Sequence, residues 1–483
     1  MYLGLDLGTS GLRALLLDED QATVAVQEVA YDVTHLHPGW SEQDPSVWIT
    51  AVESVLDSLK SSHANALENL KGIGVSGHMH GATLIDAAGD PIRPCILWND
   101  TRSHVEAAAL DADPEMRQIT GNIVFPGFTA PKLSWVKAHE PEIFAKIDKV
   151  LLPKDYLGLW LTGEATSEMS DAAGTSWLDT RRREWSDAAL AKTGMRADQM
   201  PRLIEGSQVS GTLRSELATR WGIPASCVVA GGGADNAAAA CGTGALLEGQ
   251  GFVSLGTSGV VLVARGAYAP DPATAVHTFC HAVPDTWYQM GVMLAATDCM
   301  NWLSARTGRS PSDLTKALGS TLRAPGAVKF MPYLSGERTP HNDSAIRGAF
   351  VNLDIGSDTT ALTQAVIEGV SFGLMDSLGA LRATGAAPDS LLAIGGGTGS
   401  AYWVELLATI LGIPLQTLSA GETGAALGAA RLAIIAATGA APSDVITQPA
   451  IARTIEPNPA HAPAFAEAYA GFTQLYPAIK ALT

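Results

Sequence analysis

The stretch DLGTSGLRALLL at 6–17 decides how this chain is interpreted, because SLGTSGVVLVA at 254–264 repeats its pattern. In both copies an apolar run leads into a Gly-Thr-Ser-Gly turn and then into a second apolar run, as in a β-hairpin. Each half also has a glycine cluster after an apolar run, VVAGGGADN at 228–236 and LLAIGGGTGS at 391–400. Two halves with the same ordered elements indicate duplication of one α/β domain.

The length of the chain agrees with this duplication, because 483 residues exceed what one hydrophobic core usually serves. We therefore predict two domains, residues 1–244 and residues 245–483. The stretch between the turn and the glycine cluster is longer in the first half, so the first domain is expected to carry insertions specific for the substrate. Further helices are predicted after Asp44-Pro45, at 360–384, at 424–438 and near the C-terminus.

Composition excludes several classes of protein. The formal net charge is −18, with 49 acidic against 31 basic residues, and such a surface repels nucleic acid. Five cysteines without C-x-x-C spacing predict buried free thiols rather than disulfides or a zinc site. The N-terminus lacks the basic region of a signal peptide, and no apolar run is long enough to span a bilayer. We expect a cytoplasmic protein without a membrane partner.

The first turn has the composition of a phosphate-binding loop. Gly-rich turns expose backbone N–H groups, and the hydroxyls of Thr9 and Ser10 add donors, with Arg13 just beyond. Asp6, at the end of the first strand, can hold Mg²⁺. An ordinary hairpin is the alternative, but the repeat at 255–259 favours two loops that clamp one nucleotide. The second copy has Ser254 in place of Asp6, so only the first keeps an acid.

Asp235 follows three glycines and precedes an Ala-rich helix. A carboxylate where a strand meets a helix can accept the proton of an alcohol during phosphoryl transfer. The alternative, of equal weight on these residues alone, is that Asp235 only N-caps the helix at 237–241. The glycines at 395–397 permit close approach of a flat or anionic ligand such as adenosine, and a tight strand–helix junction is compatible with that role.

The segment SGHMHG at 76–81 carries two histidines two residues apart. On a strand, His78 and His80 would share one face and could hold a metal ion, but no third ligand lies nearby in sequence. Polar contacts to a sugar fit better, with Trp98, Asn99 and Asp100 as neighbours.

In this order the motifs resemble the FGGY family of carbohydrate kinases, a branch of the actin-like ATPases, and within it the xylulokinases. The resemblance runs nearly end to end, and its motifs are DLGTSG (6–11), GWSEQDP (39–45), SGHMHGAT (76–83), ILWNDTR (96–102), LLPKDYL (151–157), GGGADNAAAA (231–240), SLGTSGV (254–260), PYLSGERTPH (332–341), IGGGTGS (394–400) and GAALGAARLA (424–433).

The resemblance implies an α/β fold of two actin-like (ribonuclease H-like) ATPase domains with a catalytic cleft between them. It also implies phosphorylation of D-xylulose to D-xylulose 5-phosphate by ATP and Mg²⁺, with Asp235 as the general base and Asp6 on the Mg²⁺ and γ-phosphate side. Met79, His80 and Asn236 would contact the sugar. The ATP-binding residues would be Gly8, Thr9, Ser10, Arg13, Gly256, Thr257, Ser258, Asn301, Gly396 and Gly397, with adenosine held by the second domain. A homodimer is the family expectation.

One departure from the xylulokinase pattern is His78, where Gln is expected. If its ring faces the sugar, the preferred ketose differs, and if it lies in the core nothing follows. Kinases for another ketose or a polyol, such as ribulose or a sugar alcohol, are the main alternatives. Chaperones and filament proteins share the actin-like scaffold, but they need a peptide-binding domain or polymer contacts. A non-catalytic sugar-binding module would have no use for two phosphate loops.

Overall fold

The computed structural model describes residues 1–419 and 424–482 and contains two large mixed sheets, one from each half of the chain. The first sheet has the spatial order Val209–Thr212, Val228–Ala230, Gly72–Gly77, Tyr2–Leu7, Gly11–Leu17 and Thr23–Ala30, with Gly233–Ala234 also paired to Gly72–Gly77. The second has the order His277–Cys280, Trp287–Met293, Gly259–Arg265, Gly251–Leu255, Leu391–Ile394, Leu415–Leu418 and Ile451–Ile455.

The two sheets share one topology. Tyr2–Leu7 and Gly251–Leu255 each pair antiparallel with the strand that follows the Gly-Thr-Ser-Gly turn, and parallel with a later strand. The outer strands repeat the same directions in both sheets. The predicted duplication of an α/β unit is therefore confirmed, and with it the predicted fold class. The division at residues 244 and 245 stays a prediction.

The pairing of the two glycine clusters predicted from sequence was wrong. The strand Leu391–Ile394, before glycines 395–397, is adjacent to the first strand of its sheet and matches Gly72–Gly77. Glycines 231–233 follow Val228–Ala230, which lies one strand further out and matches Leu415–Leu418. The counterpart of glycines 395–397 is thus the segment that begins after Gly77.

Insertions differ between the halves. In the first half several helices and two-stranded ribbons lie between Gly72–Gly77 and Val228–Ala230, whereas one helix, Ala401–Leu411, joins the equivalent strands of the second half. The ribbons of the first half are Glu42–Gln43 with Cys95–Ile96, Thr83–Ile85 with Lys149–Leu151, Thr166–Glu168 with Arg202–Ile204, and Leu178–Asp179 with Glu184–Trp185. In the second half Lys329–Met331 pairs with Ala349–Val351.

The helices agree with the sequence expectations in most places. Helices predicted at 360–384 and 424–438 are found as Thr359–Ala383 and Ala425–Thr438. The helix after Asp44 begins at Ser46, with Pro45 as the N-cap residue. Asp44 Oδ1 accepts a hydrogen bond from the N–H of Ser46. The other α-helices are His104–Asp111, Pro114–Thr120, Thr129–His139, Pro141–Phe144, Pro153–Thr162, Met169–Ala172, Asp187–Thr193, Ser215–Trp221, Asp235–Thr243, Thr297–Thr307, Pro311–Lys316, Pro442–Val445, Ala462–Phe472 and Leu475–Lys480; short 3₁₀ turns are Ala173–Thr175, Ala197–Gln199, Pro272–Thr274 and Gly396–Gly399.

Two helices cross where the halves meet. Ala425–Thr438, from the second half, packs on the first sheet, because Gly4 and Gly74 let its backbone approach where any Cβ would collide with helix carbonyls. Asp235–Thr243, from the first half, shares an apolar cluster with Phe252 of the second sheet. The halves are therefore joined by an exchange of helices.

The remaining expectations about the chain concern its thiols and its apolar segments. All five cysteines are buried and free, as predicted. Within residues 1–419 and 424–482, no helix is long and apolar enough to cross a membrane.

Candidate active site

The first Gly-Thr-Ser-Gly turn is closed and held from three sides. The N–H of Gly8 donates to the carbonyl of Gly11 at 2.9 Å, which closes the hairpin tip. The Tyr31 hydroxyl donates to the Gly8 carbonyl at 2.7 Å, and Gln43 Nε2 donates to the Thr9 carbonyl at 3.2 Å. The carbonyls of the tip are thus occupied, whereas the N–H groups of Thr9 and Ser10 donate to no acceptor in the part of the chain that the structure describes.

Trp98 touches this turn directly. Its indole Nε1–H donates to the hydroxyl of Thr9 at 2.9 Å, and the ring is 44% exposed. Asn99 beside it is exposed, whereas Asp100 is buried and forms an ion pair with Arg102. The structure therefore brings Trp98, one of the residues predicted to line the sugar site, into contact with the first Gly-Thr-Ser-Gly turn.

Arg13 lies opposite Asp6 across the hairpin, and its Nη1 is 2.5 Å from the Glu28 carboxylate. Burial raises the pKa of Asp6, while Ser76 and the charge of Arg13 lower it. Arg13 is thus partly neutralised by an acid on the third strand of the sheet.

Asp235 and Asp6 lie close enough for their charges to interact. Burial, followed by repulsion from Asp6, raises the pKa of Asp235 to about 7, against hydrogen bonds that favour its ionised form. Those bonds come from Asn236, whose backbone N–H and Nδ2 both donate to Asp235 Oδ1, at 2.7 and 2.9 Å. The helix begins at Asp235 with Ala234 in the N-cap position, so the capping alternative is wrong. A carboxyl group that titrates near neutrality is suited to general base catalysis.

The two carboxylates also suit a divalent cation. Carboxylate oxygens are the ligands that Mg²⁺ prefers, and a cation beside them would relieve the repulsion that raises the pKa of Asp235. Across residues 1–419 and 424–482, no group of three or more His, Cys, Asp and Glu residues could hold a metal ion. Mg²⁺ usually takes few protein ligands and completes its shell with water and phosphate oxygens, so Asp6 and Asp235 fit its requirements.

Met79 and His80 follow the strand Gly72–Gly77, which pairs with Gly233–Ala234 just before Asp235. Met79 is buried, and its Sδ accepts from the Tyr288 hydroxyl at 3.9 Å. Burial, followed by the charge of Asp235, raises the pKa of the same tyrosine. The ring of His80 stacks on Phe128, with centroids 4.3 Å apart. Burial lowers the pKa of His80 to about 3, so the ring is neutral.

The tautomer of His80 follows from its partner. Nδ1 lies 2.6 Å from the carbonyl of Gly174, and a carbonyl can only accept, so Nδ1 carries the proton. Nε2 is then an unprotonated acceptor, available to the hydroxyl of a polar ligand.

His78 lies in the core. The strand ends at Gly77, His78 is 2% exposed, and its ring packs edge-on against Trp48 at 5.8 Å. It therefore does not share a strand face with His80, and the metal pair considered from sequence is wrong. A ring buried in this way gives no reason for an altered choice of sugar.

The second Gly-Thr-Ser-Gly turn is fixed to the start of a helix. The Gly256 carbonyl accepts from both the N–H and the hydroxyl of Thr297, at 2.9 and 2.8 Å, and the Thr257 carbonyl accepts from the N–H of Ala296 at 2.8 Å. Thr257 and Ser258 are exposed, and within the described residues their N–H groups have no acceptor. Both copies of the turn thus use their carbonyls for support and leave N–H groups available for an anion.

Asn301 lies on the same helix, Thr297–Thr307, as the support of the second turn. It is exposed, and its Nδ2 donates to Asp298 Oδ1 at 3.2 Å. No hydrogen bond joins Gly8–Ser10 to Gly256–Ser258 among the described residues. The structure therefore pairs Asp6 with Asp235 and Thr9 with Trp98, but leaves the two turns without a direct link.

Beside glycines 395–397 is a cavity of about 840 Å³. Gly395 has φ +90°, Gly396 is exposed, and Gly397 packs so closely on Leu255 that an added Cβ would lie 2.8 Å from the Leu255 Cβ. The cavity wall includes Gly395, Thr398, Gly399, Ser312, Lys316, Tyr402, Glu405 and Arg453. A space of this size with mixed polar and apolar walls can hold a nucleoside.

Comparison with known proteins identifies the family of this chain. Residues 1–242 match the N-terminal domain of the FGGY family of carbohydrate kinases, and residues 251–437 match its C-terminal domain. The chain belongs to the FGGY family of carbohydrate kinases. Kinases of this family use ATP and generally a divalent metal.

Individual relatives of this FGGY kinase are similar over most of its length. It is 49% identical to a xylulose kinase of Escherichia coli (strain K12) over 440 residues, 90% of each chain. A crystal structure of a "xyloylose kinase" from Brucella ovis matches with a TM-score of 0.99 and 57% identity over 100% of both chains. A xylulose kinase from Rhodospirillum rubrum matches with a TM-score of 0.92 and 29% identity, over 100% of this chain and 99% of that one.

Sequence reasoning missed several residues that support the site of this FGGY kinase. Tyr31 and Gln43 hold the first turn, and only Gln43 had a signal, since it lies in the motif GWSEQDP at 39–45. Ser170 accepts the N–H of Ala234, the residue before Asp235, at 3.0 Å, and its hydroxyl donates to the buried carboxylate of Glu168. This contact fixes the backbone from which the side chain of Asp235 extends.

Proposed function

We propose that this FGGY kinase transfers the γ-phosphoryl group of ATP to the 5-hydroxyl of D-xylulose, giving ADP and D-xylulose 5-phosphate. The observation that carries the choice of sugar is the similarity of 90% or more of the chain to proteins named xylulose kinase, at 46–49% identity. The site geometry supports the chemistry, because Asp235, whose pKa is raised to about 7, lies near the second carboxylate of Asp6. Among the described residues, both Gly-Thr-Ser-Gly turns also have N–H groups without an acceptor.

Asp235 is the proposed general base. Its Oδ1 already accepts two hydrogen bonds from Asn236, so Oδ2 is the atom that would take the proton of the 5-hydroxyl. Asn236 thereby fixes the orientation of the carboxylate and places its own side chain next to the sugar. Nε2 of His80 would accept from a second sugar hydroxyl, with Met79, Trp98 and Asn99 forming neighbouring walls.

Phosphates would be bound from both halves. Mg²⁺, held by Asp6, would neutralise charge on the transferring group. The N–H groups and hydroxyls of Thr9 and Ser10 would donate to phosphate oxygens from one side, with Gly8 and Arg13. Thr257 and Ser258, with Gly256, would donate from the other side.

Adenosine would lie in the cavity beside glycines 395–397, with Gly396, Gly397 and Asn301 close to the nucleotide. The first domain, residues 1–244, would thus supply most sugar contacts, and the second, residues 245–483, the adenosine site. A homodimer stays a prediction that light scattering of the purified chain would test.

A panel of acceptors tests the choice of sugar. In a coupled assay of ADP release, kcat/KM should be highest for D-xylulose and lower for D-ribulose, L-ribulose, xylitol and D-arabinitol. If another ketose or a polyol has a higher kcat/KM, that compound replaces D-xylulose as the proposed substrate. ADP release that does not depend on any sugar would instead favour an actin-like ATPase of another kind.

Asp235→Ala tests the base. Sugar-dependent ADP release should fall at least about 10³-fold, because the base assigned to the 5-hydroxyl is removed and the neighbouring carboxylate, Asp6, is assigned to Mg²⁺. Nucleotide binding measured by calorimetry should stay unchanged. Asp187→Ala is the matched control, since Asp187 is also the first residue of its helix but is exposed. Turnover near that of the unmodified protein in Asp235→Ala would show that another group takes the proton.

A further inference from the structure

Rings from both halves of the chain meet on the far side of His80. Phe125 and Phe128 come from the first half, and His277 and Phe279 come from the second. The rings of His277 and Phe279 stack at 5.4 Å, and Phe128 lies 6.2 Å from Phe279. With His80 stacked on Phe128, these rings form an aromatic wall next to the residues proposed to contact the sugar.

A single guanidinium lies against this aromatic wall. Arg338 places its Cζ 4.6 Å from the centre of the Phe125 ring, and its Nη1 is 3.4 Å from His277 Nε2. Burial, followed by the charge of Arg338, lowers the pKa of His277, so this ring is neutral. Among the residues that the structure describes, no carboxylate lies within ion-pair distance of this guanidinium. Among the described residues the five N–H donors of Arg338 therefore have one long hydrogen bond, and the carboxylate of Glu337 acts on the guanidinium only from beyond ion-pair distance.

The backbone of Arg338 is held rigidly. Its N–H donates at 2.7 Å to Glu337 Oε1, which also accepts from the N–H of Leu294. Thr339 exchanges hydrogen bonds with Val292 and donates its hydroxyl to the carbonyl of Ala275. These bonds attach Arg338 to the strand Trp287–Met293, the strand that also carries Tyr288. An unpaired donor on such a rigid support is typical of a binding residue.

The order of the side chains indicates which part of the sugar Arg338 would meet. Ala234, next to Asp235, shares an apolar cluster with Met79 and Tyr288. The ring of His80 stacks on Phe128, Phe128 lies 6.0 Å from His277, and His277 contacts Arg338. This chain of contacts leads from Asp235 past Met79 and His80 to Arg338. An open-chain pentulose with its 5-hydroxyl at Asp235 would extend its carbonyl carbon, C2, towards Arg338.

We infer that Arg338 binds the carbonyl end of the ketose and makes the enzyme prefer a ketose to the corresponding sugar alcohols. A guanidinium only donates, and a carbonyl oxygen only accepts, so the two match without a competing proton. The hydroxyl of a polyol at C2 must turn its own proton away from the cation and towards another acceptor. This inference rests on the proposed function, because it assigns a role within the same sugar site.

Arg338→Met tests the inference, since Met keeps much of the volume and removes the donors. Its kcat/KM for D-xylulose should fall about 10- to 100-fold, as expected for the loss of a charged hydrogen bond. The apparent affinity for xylitol and D-arabinitol, as substrates or competitive inhibitors, should change less than about 3-fold. Arg347→Met is the control, because Arg347 is exposed in the same segment and donates to nearby carbonyls.

Two outcomes would overturn the inference: an equal loss for the ketose and the polyols, or a loss below about 3-fold for D-xylulose. If circular dichroism shows that Arg338→Met does not fold, Arg338→Lys is measured in the same way. The ratio of its kcat/KM for D-xylulose to its kcat/KM for the polyols then decides. Failure of the proposed function is recognised separately, because the unmodified enzyme would then not favour D-xylulose in the acceptor panel.

Discussion

The two oxygens of the Asp235 carboxylate have different surroundings. Oδ1 is bound by Asn236, whereas Oδ2 is left for a ligand, and burial together with Asp6 raises the pKa of the group to about 7. A base that must lose its proton near pH 7 makes activity sensitive to pH in the physiological range.

The pH dependence of the reaction gives a prediction at this scale. Because Asp235 acts in its ionised form, kcat/KM for the sugar should fall as the pH drops below about 7. Asp6→Asn removes a repulsive charge, so the pKa of Asp235 should decrease. ¹³C NMR of labelled aspartate, without substrates, would report this titration. An unchanged or higher pKa for Asp235 in Asp6→Asn would contradict the interaction between the two groups.

Single residues could be predicted from sequence where a motif confined their position. Asp6 lies near the end of strand Tyr2–Leu7, and Asp235 follows Gly233–Ala234. Both strands pair in parallel with Gly72–Gly77, which brings the two carboxylates close enough to interact. The contact of Trp98 with Thr9 and the burial of His78 depend on packing between segments far apart in sequence. No local pattern records which way such rings turn.

At the scale of elements, the crossing of Asp235–Thr243 with Ala425–Thr438 depends on small residues. A Cβ at Gly428 would collide with the carbonyl of Ala238 and lie 3.0 Å from the N atom of Gly242. Two helices can approach this closely only when one of them lacks a side chain at the contact.

Gly428→Ala should therefore destabilise the protein by about 2–4 kcal/mol, although Ala is the better helix former. Urea unfolding, followed by circular dichroism, measures the change. Gly379→Ala in helix Thr359–Ala383 is the matched control, because nothing lies within 4 Å of an added Cβ there. That substitution should be neutral or stabilise by up to ~1 kcal/mol. Equal effects of the two substitutions would mean that the crossing helices separate at little cost.

The elements also show where sequence comparison of the halves failed. Glycines 231–233 and 395–397 look equivalent because both follow an apolar strand, yet they follow different strands of their sheets. Glycine clusters arise wherever backbone must approach closely, so their composition does not identify a topological position. The repeated Gly-Thr-Ser-Gly turn was a better guide, because its flanking strands repeat with it.

At the scale of the whole molecule, Arg431 joins three parts of the chain. Its buried guanidinium donates to the carbonyls of Cys241 and Gly242, at the end of helix Asp235–Thr243, and to that of Thr447. The Nε of Arg431 donates at 2.9 Å to Oε1 of Gln21, which lies between two strands of the first sheet. One side chain thus donates hydrogen bonds to three segments of the chain.

Arg431→Met should cost about 2–4 kcal/mol of unfolding free energy, because four acceptors lose a charged hydrogen bond at once, among them the buried carbonyl of Gly242. Thermal unfolding by calorimetry measures it. Arg382→Met, which removes a single bond to the Leu411 carbonyl, serves as control and should cost less than about 1 kcal/mol. A loss for Arg431→Met no larger than that of the control would show that water replaces the guanidinium.

The whole-molecule arrangement was predictable in part. The duplication and the two-domain fold follow from the repeated turn, but the exchange of helices between the halves does not. It requires Gly4 and Gly74 on strands of the first sheet to match Ala426 and Ala429 of a helix far along the chain. Pairing of this kind is a property of the tertiary structure.

The position of helix Ala425–Thr438 has a consequence for biosynthesis. Since this helix covers the first sheet, the segment translated first cannot complete its packing until nearly the whole polypeptide has left the ribosome. During elongation the sheet around Gly4 and Gly74 would present an uncovered face to chaperones. A nascent chain arrested before residue 425 should therefore be cut by protease within its first half, and release of the full-length chain should protect it.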